Sequence, residues 1–215
     1  MSGRTVEDRL REQYFILLPE IRRVVDEVEA EVRHHLLPLS STLNRYEQIE
    51  VTSRVKECES ALGALRRRQE GATFDPERSD SYTLTALNDL AGVRVLVFPR
   101  SRWIDVDAHM RRHARFSLWI SDPIPALGEQ EPLAFKYCGY GSRSSKIRGE
   151  LQVVPMLIGL FWQVEHSAIY KPSPELRGAL ASLEMQQRTN DVYKALISFE
   201  IEFENLVRRD PLANK

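Results

Sequence analysis

The chain has 215 residues, 42% of them hydrophobic and 28% charged, with 30 Lys+Arg against 31 Asp+Glu and a net charge of −1. That composition suits one compact domain with a sizeable core and excludes a disordered chain. A protein that grips a long stretch of nucleic acid ordinarily shows a basic excess, and none is present.

From Val6 to about Leu37, the residues Leu10, Tyr14, Leu17, Ile21, Val24, Val28, Val32 and Leu36 recur at three- and four-residue steps. This spacing predicts one face of a long helix, bent at Pro19. Tyr46 to Ser53 alternates like a short strand, and Lys56 to Gln69 is again helical, its basic end at Arg66, Arg67 and Arg68 suited to the helix dipole. Gly71 to Ser81 is polar and turn-rich, a loop. Ala91 to Phe98 (AGVRVLVF) is the clearest strand, apolar except for Arg94, as expected of the interior of a sheet. Ser101 reads as the N-cap of a helix carrying Ile104, Val106 and Met110, and Phe116 to Ile120 reads as a second strand. Pro123 to Pro132 reads as a loop. Tyr140 to Ile147 and Glu150 to Val154 read as a hairpin turning at Arg148-Gly149. Pro155 suits the first position of an apolar helix reaching Tyr170, ended by Pro172 and Pro174. A last helix, Glu175 to Arg209, carries the stripe Val192, Leu196, Phe199, Phe203, Leu206, which suits packing on the core or joining subunits. Strands interleaved with helices, with helices massed at both ends, predict an α+β fold.

Cys58 and Cys138 have no metal-ligand spacing, and with no signal peptide to be read they are expected to be free thiols of a reducing cytosol. The longest apolar stretch, Met156 to Trp162, is too short to span a bilayer, so a cytoplasmic protein without membrane contact is expected. His109 and His113 have i, i+4 spacing but lie among arginines with no third ligand in view. No phosphate-binding P-loop, dinucleotide-binding glycine turn or nucleophile motif occurs.

The chemistry-bearing residues sit at the ends of apolar strands. Asp89 enters the buried strand and Glu150 lies in the apolar segment GELQVV. A carboxylate beside such a run is costly to bury unless it is paired or holds a metal. The two can share a Mg²⁺, or Asp89 can cap a turn while Glu150 pairs with a lysine. Arg54 and Lys56 at a strand-to-helix junction, with Ser60 one turn on, suit a triphosphate, or else form a solvated basic face. Lys136, Tyr137, Gly139 and Tyr140 place a cation and two aromatics around glycines, a pattern that serves base stacking or core filling. Glu165 and His166 lie on a mostly apolar helix, where a lone histidine is more often a core group than a catalyst.

Taken in order, these fragments resemble the synthetase domain of the RelA/SpoT family, which makes guanosine penta- and tetraphosphate alarmones. The family pattern R-x-K-x-x-x-S is matched by Arg54, Lys56 and Ser60, and D-[LI]-x-[GA]-x-R by Asp89-Leu90-Ala91-Gly92-Val93-Arg94. Lys136, Gly139, Tyr140 and Ser142 match K-x-x-G-Y-x-S, and Glu150-Leu151-Gln152 matches E-[IL]-Q. The closing W-x-x-E-H…Y-K helix is matched by Trp162, Glu165, His166, Tyr170 and Lys171. The family's histidine two residues after the serine is here Ser144, its lysine one turn after Ser60 is Ala64, and its Arg-Thr after the E-x-Q strand is Val154-Pro155. The connection from Tyr140 to Glu150 is also shorter than usual.

The resemblance implies a nucleotidyltransferase-like mixed five-stranded sheet flanked by helices, with a core over 46–171 and helical additions over 1–45 and 172–215. It implies an ATP-dependent pyrophosphokinase of the small stand-alone type, acting on GDP or GTP. Arg54, Lys56, Ser60 and Arg94 would hold ATP, and Asp89 would hold Mg²⁺. Glu150 would help position the metal or activate the acceptor 3′-hydroxyl. Tyr140 would stack on guanine, with Lys136 and Gln152 on the acceptor side. Some members act on the tRNA 3′ end, for which Arg111, Arg112 and Arg115 offer a local patch, and an antitoxin partner or a homo-oligomer fits that family. A catalytically inactive nucleotide-binding module is the third reading, motivated by the replaced histidine and lysine.

Overall fold

A computed structural model describes residues 5–68, 73–125, 132–142, 144–165 and 182–209. Five strands form one sheet in the order β1-β2-β5-β4-β3: β1 (Gln48–Val55), β2 (Ala91–Phe98), β3 (Ile120–Pro125), β4 (Pro132–Tyr140) and β5 (Arg148–Pro155). Only the β2–β5 pair is parallel; the others are antiparallel. The helices are α1 (Val6–Ser40), α2 (Cys58–Arg67), α3 (Arg100–Met110), α4 (Met156–Glu165) and α5 (Leu183–Arg209). This is the mixed five-stranded α+β architecture expected.

The two faces of the sheet differ because side chains alternate along each strand. On one face Ala91, Val93, Val95 and Val97 of β2, with Leu151 and Val153 of β5, join the main core. Against them lie α1, α2 and α3. The expected stripe of α1 is buried there, from Leu10 and Tyr14 through Val24 and Val28 to Leu36. The helix runs unbroken through Pro19, opened by a capping box in which Thr5 and Asp8 bond each other's backbone.

The other face is divided. Leu96 of β2, Val154 of β5 and Ala134 of β4 are covered by α4 and α5 through Met156, Ile158, Tyr193, Leu196 and Ile197. Gly159 lets α4 approach closely, since a Cβ there would lie 2.2 Å from the Leu96 side chain. The remaining half, nearer the starts of β2 and β5, is polar and uncovered by either cluster, and it is where the candidate site lies.

Several local expectations are corrected. Helix α3 begins at Arg100, and Ser101 is not its N-cap; the Ser101 N–H donates instead to the Glu204 carboxylate of α5 at 2.8 Å. A partner about a hundred residues away supplies the cap, which no local pattern reveals. Phe116–Leu118 is a 3₁₀ turn with Phe116 fully buried, and the strand begins only at Ile120. Gly141 N–H donates to the Ile147 carbonyl at 3.1 Å, and Arg148 and Gly149 lie inside β5 and form no turn. Pro155 ends β5 and does not start α4. Pro123–Pro125 and Pro132 belong to strands, and Pro76–Ser81 forms a 3₁₀ helix.

On α5 the buried face is Thr189, Tyr193 and Glu200, leaving Val192, Phe199 and Leu206 of the expected stripe 38%, 55% and 66% exposed. The two glutamates explain this rotation. Glu204 caps α3, and Glu200, one turn earlier, is buried facing the backbone N–H groups of Arg100 and Leu157, at the first turns of α3 and α4. Neither Glu200 oxygen reaches full hydrogen-bond geometry. Burial therefore dominates and raises its pKa to about 7.

Candidate active site

Strand alternation and register bring the sequence-predicted residues together. Arg54 of β1 stands opposite Gly92 of β2, which stands opposite Glu150 of β5. One step along, Arg94 lies opposite Gln152, and Gln152 opposite Lys136 of β4. Residues two apart on a strand share a face, so Arg94, Glu150, Gln152 and Lys136 form one polar cluster on the open half of the sheet.

Within that cluster the contacts are continuous. Arg94 Nε donates to Gln152 Oε1 at 3.0 Å, and Gln152 Nε2 donates to Glu150 Oε1 at 2.6 Å. Lys136 Nζ pairs with Glu150 Oε2 at 2.5 Å. Glu150 is only 5% exposed, and the Lys136 ammonium and Gln152 amide give its buried carboxylate the partners that burial requires. Burial pulls the Lys136 ammonium down, but the charge and hydrogen bond of Glu150 outweigh it and leave the pKa raised. Asp89 contributes in the same sense, so both carboxylates bear on one ammonium. Lysine pairing of Glu150 is therefore present, as one of the two sequence readings had it.

Asp89, one residue before Leu90 at the mouth of β2, forms an ion pair with Lys56. The backbone on both sides is pinned: Lys56 N–H donates to the Leu90 carbonyl at 2.9 Å, and the Tyr14 hydroxyl of α1 donates to the Lys56 carbonyl at 2.9 Å. Arg54 lies across Gly92, where a Cβ would sit 3.2 Å from its side chain. Among the described residues Arg54 has no ion-pair partner, whereas Arg94 is half-buried and packs over the Trp162 ring at 5.9 Å. Burial first, then the neighbouring Arg54 charge, lowers the pKa of Arg94. Two guanidiniums repelling each other at the edge of a cleft are a site arranged for an anion.

Two cavities flank the cluster. One, of about 1020 Å³, is lined by Arg54, Lys56, Ser60, Arg67, Arg68 and Asp89. The other, of about 760 Å³, is lined by Asn88, Trp119, Cys138, Tyr140 and Arg148, among others. Tyr140 ends β4 and is 52% exposed, suited to stacking. Tyr137, one strand step away from it in parity, turns into the core and donates to the buried Asp107 carboxylate. The predicted aromatic pair thus divides, one ring for the core and one for the rim. Gly139 admits the Trp119 ring, which would lie 2.3 Å from any Cβ at that position.

Sequence reasoning missed Arg148, Asn88, Trp119 and the covering role of Trp162. Arg148 was hidden by its assignment to a turn, and Asn88 has no signal apart from preceding Asp89. Glu165 accepts from the buried Tyr193 hydroxyl and so braces α4 against α5. His166, Tyr170 and Lys171 lie outside the described residues. His109 stacks on His35 of α1 with ring centroids 4.2 Å apart, each Nε2 bonded to the other's backbone carbonyl, and among the described residues no group of three or more metal-ligating side chains occurs. The basic patch is largely neutralised: Arg111 pairs with Asp107 and Arg115 with Glu31.

No protein-family model and no curated protein matches the chain in sequence. Solved structures do match it. Small alarmone synthetase 1 from Bacillus subtilis, bound to its product pppGpp, superposes with a TM-score of 0.66 at 16% identity, over 91% of this chain and 96% of that one. The RelA/SpoT small-synthetase fold is the fold of this chain. A GTP pyrophosphokinase family protein from Streptococcus pneumoniae agrees, at TM-score 0.62, 18% identity and coverage of 94% and 95%. Small alarmone synthetase 2 from Bacillus subtilis gives 0.55 at 14% identity, over 86% and 96%. Among the described residues no helix is long and apolar enough to cross a membrane.

Proposed function

We propose that the chain is an ATP-dependent pyrophosphokinase that transfers pyrophosphate to the 3′-hydroxyl of GDP or GTP. One observation carries this reading: Arg54, Lys56, Arg94 and Lys136 gather around Asp89 and Glu150 on the uncovered half of a synthetase-fold sheet. Four cations at a cleft edge suit the phosphates of a nucleoside triphosphate. The larger cavity, with Arg54, Lys56 and Ser60, takes ATP, and Arg94 meets its phosphates from β2. A related structure holding AMPCPP, small alarmone synthetase 1, supports an adenine nucleotide on this fold.

Asp89 and Glu150 are hard oxygen donors brought to one ammonium, a donor set that fits Mg²⁺, which binds through one or two carboxylates and the substrate phosphates. When bound there, Mg²⁺ supplies charge neutralisation at the transferring phosphates. The chain's own residues do the rest. Tyr140 stacks on the acceptor base, Lys136 meets acceptor phosphate, and Gln152 ties Glu150 to Arg94 so that the two substrate sides keep one spacing. The acceptor 3′-oxygen attacks the β-phosphorus of ATP and gives up its proton toward Glu150. The bond from the β-phosphorus to the oxygen bridging it to the α-phosphate breaks, and AMP leaves. Positioning and cationic stabilisation contribute most of the rate.

Incubation with β-labelled ATP, Mg²⁺ and GDP tests the reading. Label is expected on a guanosine product bearing a 3′-diphosphate, lost in Asp89→Asn. Label that stays in ADP or free phosphate overturns it. Bulk tRNA as a parallel acceptor separates the toxin-type reading, which the neutralised arginine patch does not favour.

A further inference from the structure

The second cavity contains a device that the transfer chemistry above does not use. Arg148 lies over the Tyr140 ring, its guanidinium carbon 4.8 Å from the ring centroid. Its Nη2 donates to the Tyr140 hydroxyl at 3.0 Å and its Nη1 to Asn88 Oδ1 at 3.0 Å. Among the described residues it has no carboxylate partner, whereas Arg115, the other arginine of this cavity, is committed to Glu31 at 2.8 Å. A guanidinium carries five N–H donors in a planar fork. Two are spent on Asn88 and Tyr140, so three remain at the rim of the exposed ring.

Resting on the acceptor reading above, we propose that Arg148 reads the O6/N7 edge of a purine stacked on Tyr140, and so makes the acceptor base guanine and not adenine. Guanine presents two acceptors, O6 and N7, which a guanidinium fork meets with two parallel hydrogen bonds. Adenine presents an N6 amino donor beside N7, which sets donor against donor. The support for Arg148 is placed to couple base recognition to chemistry. Asn88 immediately precedes Asp89, and Arg148 lies two residues before Glu150 on the same strand face. Arg148 also pairs with Tyr140 in the β4–β5 register, so ring and reader move as one unit. Trp119 and Leu118 give this cavity the apolar wall that a base requires.

Calorimetric titration of the full chain, its donor cavity first saturated with a non-hydrolysable ATP analogue, with GDP, IDP, 7-deaza-GDP and ADP tests this without turnover. Inosine keeps O6 and N7, 7-deazaguanine loses N7, and adenine loses O6. The wild-type chain is expected to bind GDP and IDP alike, and 7-deaza-GDP and ADP about 10- to 100-fold more weakly, the worth of a bidentate contact. Arg148→Ala is expected to bring all four within about threefold of one another, and Arg148→Lys to recover only part of the preference because it lacks the fork. These base-analogue arms use the wild-type chain, so they hold even where a variant folds poorly. Equal binding of GDP, 7-deaza-GDP and ADP by the wild type overturns the assignment of Arg148 and leaves the acceptor site standing. An equal loss for all four nucleotides in Arg148→Ala makes it a phosphate anchor and overturns the assignment as well. Binding of none of the four by the wild type overturns the acceptor site itself.

Discussion

Replacing Lys136 with methionine removes the cation from the Lys136–Glu150 pair while keeping the length of its stem. Glu150 is then left at 5% exposure with, among the described residues, the Gln152 amide on its carboxylate. Breaking a fully buried pair from one side costs about 3–5 kcal/mol. The Lys136 side chain is 34% exposed, so solvent reaches the pair and about 2–3 kcal/mol is the expected loss at pH 7. Urea denaturation of wild type, Lys136→Met, Glu150→Gln and the double variant measures it as a cycle. The double variant is expected to recover part of the loss, with a coupling of about 1–2 kcal/mol, because no buried charge then lacks a partner. Additive single changes, or a Lys136→Met chain within about 0.5 kcal/mol of wild type, would refute this account of the buried pair.

Arg54→Ala is expected to weaken binding of a non-hydrolysable ATP analogue by about 10- to 100-fold while leaving stability within about 0.5 kcal/mol, since Arg54 is exposed and has no ion pair among the described residues; calorimetry and a melting curve read the two effects. Glu200, with its folded pKa raised to about 7 from 4.5, binds more protons folded than unfolded between those values, so it contributes a stability that falls as pH rises through that window. Glu200→Gln is expected to be more stable than wild type above pH 7 by up to about 3 kcal/mol and to flatten that slope, measured as melting temperature against pH. Gly139→Ala places a methyl 2.3 Å from the Trp119 ring and is expected to shift Trp fluorescence and cost about 1–3 kcal/mol.

Much of this was legible in the sequence where local pattern and tertiary structure agree. The apolar steps of α1 serve one buried face, and the β-branched run of β2 lies in the sheet interior with both faces packed, so local pattern located both. The site was legible as a set of spacings, because the strand register that joins Arg54, Arg94, Glu150 and Lys136 follows from strand alternation once the strands are known. What escaped depends on distant partners. The cap of α3 comes from Glu204, and the face α5 buries is set by Glu200 and Glu204, not by its most regular apolar stripe. Strand β4 ends in KYCGY, whose glycine admits the Trp119 ring, a partner about twenty residues away that the local pattern does not name. Arg148 escaped because a charged residue beside a glycine mimics a hairpin turn, while its actual place is fixed by pairing with Tyr140 across β4 and β5.

The proposed function requires the polar half of the sheet to move an intact pyrophosphate. Mass spectrometry of products from ATP, Mg²⁺ and GDP tests it most directly. AMP and guanosine 5′-diphosphate 3′-diphosphate are expected in a one-to-one ratio, both lost in Asp89→Asn and Glu150→Gln. AMP without a 3′-modified guanosine, or a product that survives in both variants, would contradict it.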